Sequence, residues 1–372
     1  MMTMTRVAAR CTSSSRHVRS AVVARLGAGA GAGAGTRKLF GCWRSLSVAA
    51  TAGAKQRQQR WLSVNASEAQ VVALGDSRSV LQVDGADGAE FLQGMLTNDV
   101  VEMEDKDVRF SMLLNPKGRV LVDAFVHRIS PERFYLDLPR PLIRSVADYF
   151  TRFRLRSQVE FRDVSDTVDS VVGMNVDENS LKQLTANFDV LNFQPDPRIH
   201  QTEPYCRSLW RGVCTRPSTD SDSDDNAAHD EHTYQQLRIS MGFGEGPVDH
   251  QPKKSLPLQC NLDYLHGVSW TKGCYIGQEL TARTHHMGMT RKRLMPITLH
   301  APTTVAPGSK VINTETGKAV GDVRSQAGVH ALAMIRLEPA KGAQLAVVPQ
   351  DGDEPGDMCP VSLHWPKWWP EQ

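Results

Sequence analysis

The chain predicts an α+β body finished by a small all-β domain. Three observations carry that reading. From Ser79 to roughly residue 255, short strand patterns and amphipathic helix patterns follow one another without an alternating βαβ series. After Pro296 the texture turns to strands alone, with turn signals and period-two alternation. The 372 residues also exceed the length at which one hydrophobic core keeps growing, so more than one packed unit is expected.

The first segment stands outside the fold. Residues 1–67 hold nine Arg, two Lys and no acid; taking this +11 from the total of +2 leaves −9 on the remainder. An acid-free leader rich in Arg, Ser and Ala has the composition of a mitochondrial transit peptide, which we assign to residues 1–62 and expect to be disordered. Val18, Val22 and Leu26 would form one apolar stripe on a helix, and the tract Gly27–Gly35 cannot continue it. Cleavage before Ser47 and before Ser63 are both compatible. The expected compartment is the mitochondrial matrix. An acidic body argues against general nucleic-acid binding. No apolar run is long enough to cross a bilayer, so no membrane insertion is expected. Cys206, Cys214, Cys260, Cys274 and Cys359 remain, an odd number without CxxC, which suggests neither a disulfide framework nor a structural zinc site.

"SVLQVDG" reads as a strand that hands over to a helix in "ADGAEFLQGMLTNDV". There Asp87 and Glu90 resemble a capping box, and Phe91, Leu92, Met95 and Leu96 mark the apolar face. "LNPKGR" (Leu114–Arg119) is a turn. "RVLVDAFVHRI" alternates, with Val120, Val122, Ala124 and Val126 on one face and Leu121, Asp123, Phe125 and His127 on the other. "RFYLDL" completes a hairpin. Pro139 and Pro141 open a helix with core face Leu142, Ile143, Val146, Tyr149, Phe150 and Phe153. Strands follow around 159–165 and 170–176, then a helix carrying Leu181, Leu184 and Phe188. The run Thr215–His232 is acidic and of low complexity, and is expected to be a disordered insertion. A hairpin around Thr314–Gly317 and the alternating "VHALAMIRL" build a small barrel, with Trp365, Trp368 and Trp369 covering its flank.

Several segments compete for a chemical role. "GFGEG" (Gly242–Gly246) lacks the helix that a dinucleotide fingerprint requires, and reads as a loop. His285 and His286 are adjacent and point apart, so with His266 and Cys274 they do not compose a resident metal site; they are expected to meet a ligand or a neighbouring lobe's backbone. Cys274 is the strongest single candidate. Lys272 lies on its side of an extended segment and would favour the thiolate, while Gly273 and Gly277 let the backbone bend closely. A small buried hydrophobe beside Tyr275 and Ile276 is the competing reading, and the residues alone leave both open. Glu279 and Arg283 form an ordinary helical pair. Lys117 and Arg119 would receive a carboxylate tail or serve as plain turn residues.

"KGCYIGQELTARTHHMG" followed by "RKRL" resembles the signature of the YgfZ-like branch of the folate-dependent T-protein (GcvT-like) family, and within it the mitochondrial iron–sulfur cluster assembly factors. "GADGAEFLQGMLTNDV", "LLNPKGRVLVDAFVHR", "YQQLRISMGFGEG", "LPLQCNLDYLHGVSWTKGC" and "GDVRSQAGVHALAMIRLE" match in order, covering approximately residues 70–340. The resemblance implies a three-lobed ring with antiparallel sheets around a central pocket and a C-terminal β-barrel. The first lobe spans 63–165 with the return segment 256–295, the second 166–255, and the barrel 296–366. It implies a tetrahydrofolate-type ligand, with Asn115, Lys117, Arg119, Asp123, Tyr275, Gly277, Gln278 and Glu279 at the pocket. It also implies a role for Lys272 and Cys274 in maturing [4Fe–4S] proteins, with A-type iron–sulfur carriers and [4Fe–4S] clients as partners. Cys274 would act as a transient cluster ligand or a redox-sensitive thiol, with no resident metal.

The catalytic branch departs from this chain. Its Gly-Gly-x-x-Asp-Asp run corresponds here to Gly118, Arg119, Val120, Leu121, Val122 and Asp123, so one carboxylate is missing. Its Gly-Tyr-Thr-Gly-Glu segment is absent, and Gln259 stands where an acid is usual. A folate-dependent one-carbon transferase and a non-catalytic interaction module with a vestigial pocket remain the alternatives.

Overall fold

A computed structural model describes residues 69–176, 189–199, 209–216, 224–351, 354–355 and 358–370. The leader stripe Val18–Leu26, the helix expected at Leu181–Phe188 and Cys206 lie outside these residues.

The strand read from Ser79 is β2 (Arg78–Asp84), followed by α1 (Gly88–Met95). It sits in a five-stranded sheet ordered β3 (Val108–Leu114), β4 (Val120–Ser130), β5 (Arg133–Pro139), β2, β6 (Glu160–Asp163). Every pair is antiparallel. Val122, Ala124, Val126, Phe134 and Leu136 point to one face, where α1 and α2 (Ile143–Phe153) cover them with Phe91, Leu92, Val146 and Phe150. Asp87 does not close the expected capping box. Its Oδ2 accepts the Gln158 N–H at 2.7 Å, so the carboxylate ties the helix start to the approach of β6 instead.

The opposite face of β4, with Asp123, Phe125 and His127, is equally buried because a second sheet covers it. That sheet is ordered β1 (Gln70–Ala73), β7 (Val168–Met174), β9 (Leu209–Thr215), β8 (Val190–Pro195). β1 pairs with β7 and so belongs to this sheet, although its place in the chain assigned it to the first lobe. The reason is burial: Val72 and Leu74 complete the core between the sheets with Phe110, Phe125 and Phe243.

Helix α3 (Asp224–Met241) revises the acidic segment. The expected disordered run 215–232 begins on the last residue of β9 and ends inside this helix, where Glu231 is already buried. Tyr234 and Ile239, both fully buried, hold the helix from its far half and let it extend back into the acidic residues. A single turn, α4 (Gly246–Asp249), starts on the last glycine of "GFGEG", where no helix was expected.

After α5 (Gln278–Met287) the chain closes a six-stranded barrel ordered β10 (Lys292–Leu299), β13 (His330–Arg336), β12 (Ala319–Ala327), β11 (Lys310–Asn313), β14 (Leu345–Val348), β17 (Cys359–Leu363). It begins at Lys292, ahead of the expected Pro296. The one-turn α6 (Leu337–Ala340) leads to β14, and a ribbon of β15 (Gln350–Asp351) and β16 (Glu354–Pro355) precedes β17. Ala331, Ala333 and Ile335 fill the barrel. The alternate residues Leu332 and Met334 lie outside it against Ile239 of α3, which seats the barrel on the body. Trp368 adds a second fastening: its Nε1 donates to Met241 O at 2.8 Å, and its ring stacks on Phe243.

Candidate functional site

Two constellations of polar groups stand out, one sealed between the sheets and one open at the rim. The sealed one gathers charges from segments far apart in the chain. Arg78 at the head of β2 donates to Asp137 Oδ1 at 2.6 Å and to Asp123 Oδ2 at 2.7 Å. Arg211 of β9 donates to the second oxygen of Asp137 at 2.8 Å and to Tyr234 Oη at 2.9 Å. Arg198 grips Asp196 with two bonds and Glu245 with a third at 2.6 Å. Phe125 lies beneath Arg211, 3.9 Å from guanidinium to ring centre, and Phe243 beneath Arg198 at 4.4 Å. Arg198, Arg211, Asp123 and Asp137 have no solvent exposure.

Burial works against each charge here, and pairing overcomes it. The Asp123 carboxyl is held far below the usual range, because Arg78 and His250 outweigh its desolvation. Glu245 behaves the same way under Arg211, Arg198 and Arg78. His127 shows the opposite balance: burial, with Arg211 and Arg78 against Asp137, pushes its imidazole down to about 4. Neither of its ring nitrogens has a partner.

Asp123 was expected at the folate pocket. Its Oδ2 is taken by Arg78, and its Oδ1 accepts the Gly246 N–H at 2.9 Å beside His250 Nδ1 at 3.4 Å. It is a buried counter-ion whose two oxygens are each engaged within the fold. We derive no one-carbon step from Asp123.

The open constellation is the segment quoted as the family signature. Thr97 Oγ1 donates to Gly267 O, Ser269 N–H to Thr97 O, and Ile276 N–H to Gly94 O at 3.0 Å, stitching residues 267–276 to the end of α1. Lys272 drives the clip home. Its ammonium donates to the carbonyls of Gln93, Leu96 and Asn98 at 2.7, 2.8 and 2.8 Å. Carbonyls at a helix C-terminus lack intrahelical partners and attract cations, so this is where a lysine is useful. Burial pushes the ammonium down to about 8, with Asp99 pulling the other way. The sequence reading put Lys272 beside the thiol; its bonds instead run to the end of α1. All three ammonium hydrogens are spent on backbone.

Cys274 is exposed, whereas Cys214, Cys260 and Cys359 are buried. Burial lifts the thiols of Cys214 and Cys260 to about 12. Among the described cysteines only Cys274 can meet a partner. Gln278, the first residue of α5, orients it: its Nε2 donates to Sγ at 3.5 Å while its Oε1 accepts the Tyr275 N–H at 3.1 Å. Gly277 caps the helix at φ 82°, and a Cβ there would sit 2.4 Å from Asn115 O. Gly118, at φ 71°, meets Leu280 and Gly277 O from the other side. The "NPKG" turn and the cysteine motif are thus interlocked. Gly273 has open space around it, so no close approach there requires a glycine.

The remaining predicted residues divide. Asn115 Oδ1 accepts the N–H groups of Lys117 and Arg119, so it builds the turn. Lys117 and Arg119 line an open cavity of about 680 Å³ with Lys253 and Lys254. Tyr275 is buried in the core between the sheets. Glu279 lies in solvent, 4.0 Å from Arg283. His285 stacks on Trp270, centroids 3.7 Å apart, and among the described residues no hydrogen bond ties it to a neighbouring lobe's backbone, the contact that was expected. The sealed network was missed in the sequence reading. Its signal was present as single charges interrupting apolar strands: Asp123 in "VLVDAFV", Asp137 in "FYLDL", Arg211 in "LWRGVC".

Residues 78–177 match the GCVT N-terminal domain family, and residues 291–371 match the CAF17 C-terminal beta-barrel domain family. The iron-sulfur cluster assembly factor IBA57, mitochondrial, of Mus musculus is 31% identical over 316 residues, covering 79% of this chain and 84% of that protein. The Homo sapiens counterpart is also 31% identical, with the same coverage. The Mycosarcoma maydis homolog is 29% identical over 87% of this chain and 89% of its own. Among solved structures, the glycine cleavage system aminomethyltransferase T from Bartonella henselae superposes with a TM-score of 0.60 at 14% identity, covering 81% of this chain and 86% of that one, a likeness of fold.

Proposed function

The chain belongs to the mitochondrial iron–sulfur cluster assembly factors named IBA57, and from that premise we propose that it works through the exposed Cys274 thiol as a transient ligand for a cluster in transit. The observation that carries this reading is the contrast among thiols: Cys274 is open to solvent and the other described cysteines are not. Clusters are held by thiolates, and one protein thiol supplies one ligand, so a partner supplies the rest. On ligation Sγ would bind one iron in place of a single thiolate of the partner, and that displaced thiolate takes up the proton Sγ gives up. Gln278 presents the sulfur, and Lys272 fixes the loop that carries it.

The partner in this reading is an A-type iron–sulfur carrier, the recipients are [4Fe–4S] proteins, and the compartment is the matrix, reached through the acid-free leader 1–62. The thiol step itself calls for no folate turnover, and the Asp123 oxygens are engaged by Arg78, Gly246 and His250. The test is rescue of depleted cells with Cys274→Ser, read in parallel on [4Fe–4S] and [2Fe–2S] mitochondrial enzymes. Failure to restore the former, with the latter intact, is expected. Full rescue by the serine variant would remove the thiol from the mechanism.

A further inference from the structure

The far end of α2 presents a surface unlike the rest of the molecule. Residues 151–156, reading Thr-Arg-Phe-Arg-Leu-Arg, are six consecutive exposed positions. Phe153 is the last residue of the helix; its ring packs on Tyr149, centroids 4.7 Å apart, and it remains 38% exposed. Leu155 is 86% exposed, more than any other large hydrophobic residue described. Its backbone is left-handed, with φ 46°, just past the helix end, where glycine is the usual residue and a side chain is strained. The fold itself does not call for a leucine there. The loop is nonetheless held still, since Ser157 N–H donates to Arg154 O at 2.8 Å and Gln158 N–H to Asp87 Oδ2 at 2.7 Å. Those bonds fasten it near the start of α1, whereas the thiol loop is clipped to that helix's other end, about 12 Å along.

Charge singles out the same place. Residues 140–159 hold five Arg and one acid, Asp148, within a body that carries −9 over residues 68–372. Arg144, Arg152, Arg154 and Arg156 are exposed, and among the described residues no carboxylate pairs with any of them. The exposed arginines Arg133, Arg216 and Arg283 each have an acid beside them. Glu160 and Asp163 follow on β6, where Asp163 is engaged by Ser165.

We propose that this corner rests on an anionic phospholipid surface. Phe153 and Leu155 enter the boundary between headgroups and acyl chains, and the four unpaired arginines meet the phosphates. Cations flanking exposed apolar side chains are the composition of interfacial membrane contacts, where apolar burial and attraction to anionic lipid add. The apolar residues choose among polyanions. A nucleic acid could stack a base on Phe153 but offers the aliphatic Leu155 nothing to enter. A lipid boundary deforms around both and needs no matching pocket. The negative body is repelled by such a surface, so the molecule settles with this corner down. The contact is peripheral, because no described helix is long and apolar enough to cross a bilayer.

Vesicle flotation tests it, with phosphatidylcholine vesicles made with and without phosphatidylglycerol. The probe protein is the chain from Ser63, which holds every element described and lacks the cationic leader that would bind by itself. Binding is expected only with phosphatidylglycerol and should weaken as salt is raised. Arg152→Ser, Arg154→Ser and Arg156→Ser together should weaken it by about tenfold or more. Leu155→Gly removes the side chain while easing the left-handed backbone, so it should melt no earlier than native yet bind about threefold or more weakly. If it melts early, the arginine variant decides. Equal binding to both vesicle types, or to neither, overturns the proposal. Native-like binding by the arginine variant does the same, as does capture of single-stranded RNA or polyglutamate without vesicle binding. Native-like binding by a stable Leu155→Gly overturns the apolar contact. Cys274→Ser should bind vesicles as native does; a loss there would move the contact to the thiol loop and overturn this corner.

Discussion

The space between the two sheets and the rim around α5 use charge in opposite ways. Inside, Arg78, Arg198 and Arg211 are matched against Asp123, Asp137, Asp196 and Glu245 with solvent excluded. At the rim, Cys274, Trp270, both histidines and two methionines are exposed over a backbone that is rigidly fastened. A charge whose partners are all internal can only hold the fold together. A sulfur held still and left uncovered can act on something else. On the proposed reading, the interior supplies stability and the rim supplies chemistry, although the interior holds more of the polar groups.

The comparison breaks most sharply under paired substitutions. Arg211→Met strips Asp137 and Glu245 of a partner inside, and losing one member of a buried pair costs about 3–5 kcal/mol. Cys274→Ser at the rim should shift stability by no more than about 0.5 kcal/mol. Denaturant unfolding of the two variants measures both. Equal effects would dissolve the distinction.

Acid probes the interior next. His127 titrates near 4 when folded, against 6.5 for a free imidazole, because burial disfavours its cation. The unfolded chain therefore binds more protons between these values. Stability is fully present above pH 6.5 and is lost as pH falls toward 4. The loss from this group is at most about 3 kcal/mol. Asp123 and Glu245 add theirs only at lower pH, since their carboxyls are held below the usual range. His127→Leu should flatten the unfolding free energy across the window, and an unchanged slope would contradict the assignment.

Lys272→Met sharpens the view of the rim. It leaves three carbonyls at the end of α1 without their donor, worth about 1–3 kcal/mol. Amide exchange at Ile276 should accelerate. Exchange that stays slow would show that the lysine does not fasten the loop. The smallest contrast lies between two glycines of one motif. Gly277→Ala forces a side chain against Asn115 O at positive φ and should cost about 1–3 kcal/mol. Gly273→Ala, in open space, should change stability by less than about 0.5 kcal/mol. Thermal unfolding separates them.

Elements with a local cause were legible in the sequence. The β2–α1 and β4–β5 pairs, the helix at Ile143–Phe153 and the barrel hairpins follow from periodicity and turn chemistry. The family signature singled out Cys274, but the choice between a buried and an exposed thiol was left open by the residues and depends on the fold. What was hidden depends on contacts between distant segments. A single Arg in "LWRGVC" says nothing of Asp137, 74 residues earlier, until two sheets bring them together. Lys272 lay two positions from Cys274, so the sequence suggested that the two interact. Carbonyls more than 170 residues upstream had the stronger claim on it. The acidic start of α3 was hidden for the same reason, since distant packing holds it.

Native mass spectrometry of this protein mixed anaerobically with a cluster-loaded A-type carrier tests the central claim most directly. The account predicts a one-to-one complex that retains its iron and sulfide with the native chain and loses them with Cys274→Ser. A serine variant that holds the cluster in the complex as the native chain does would contradict it.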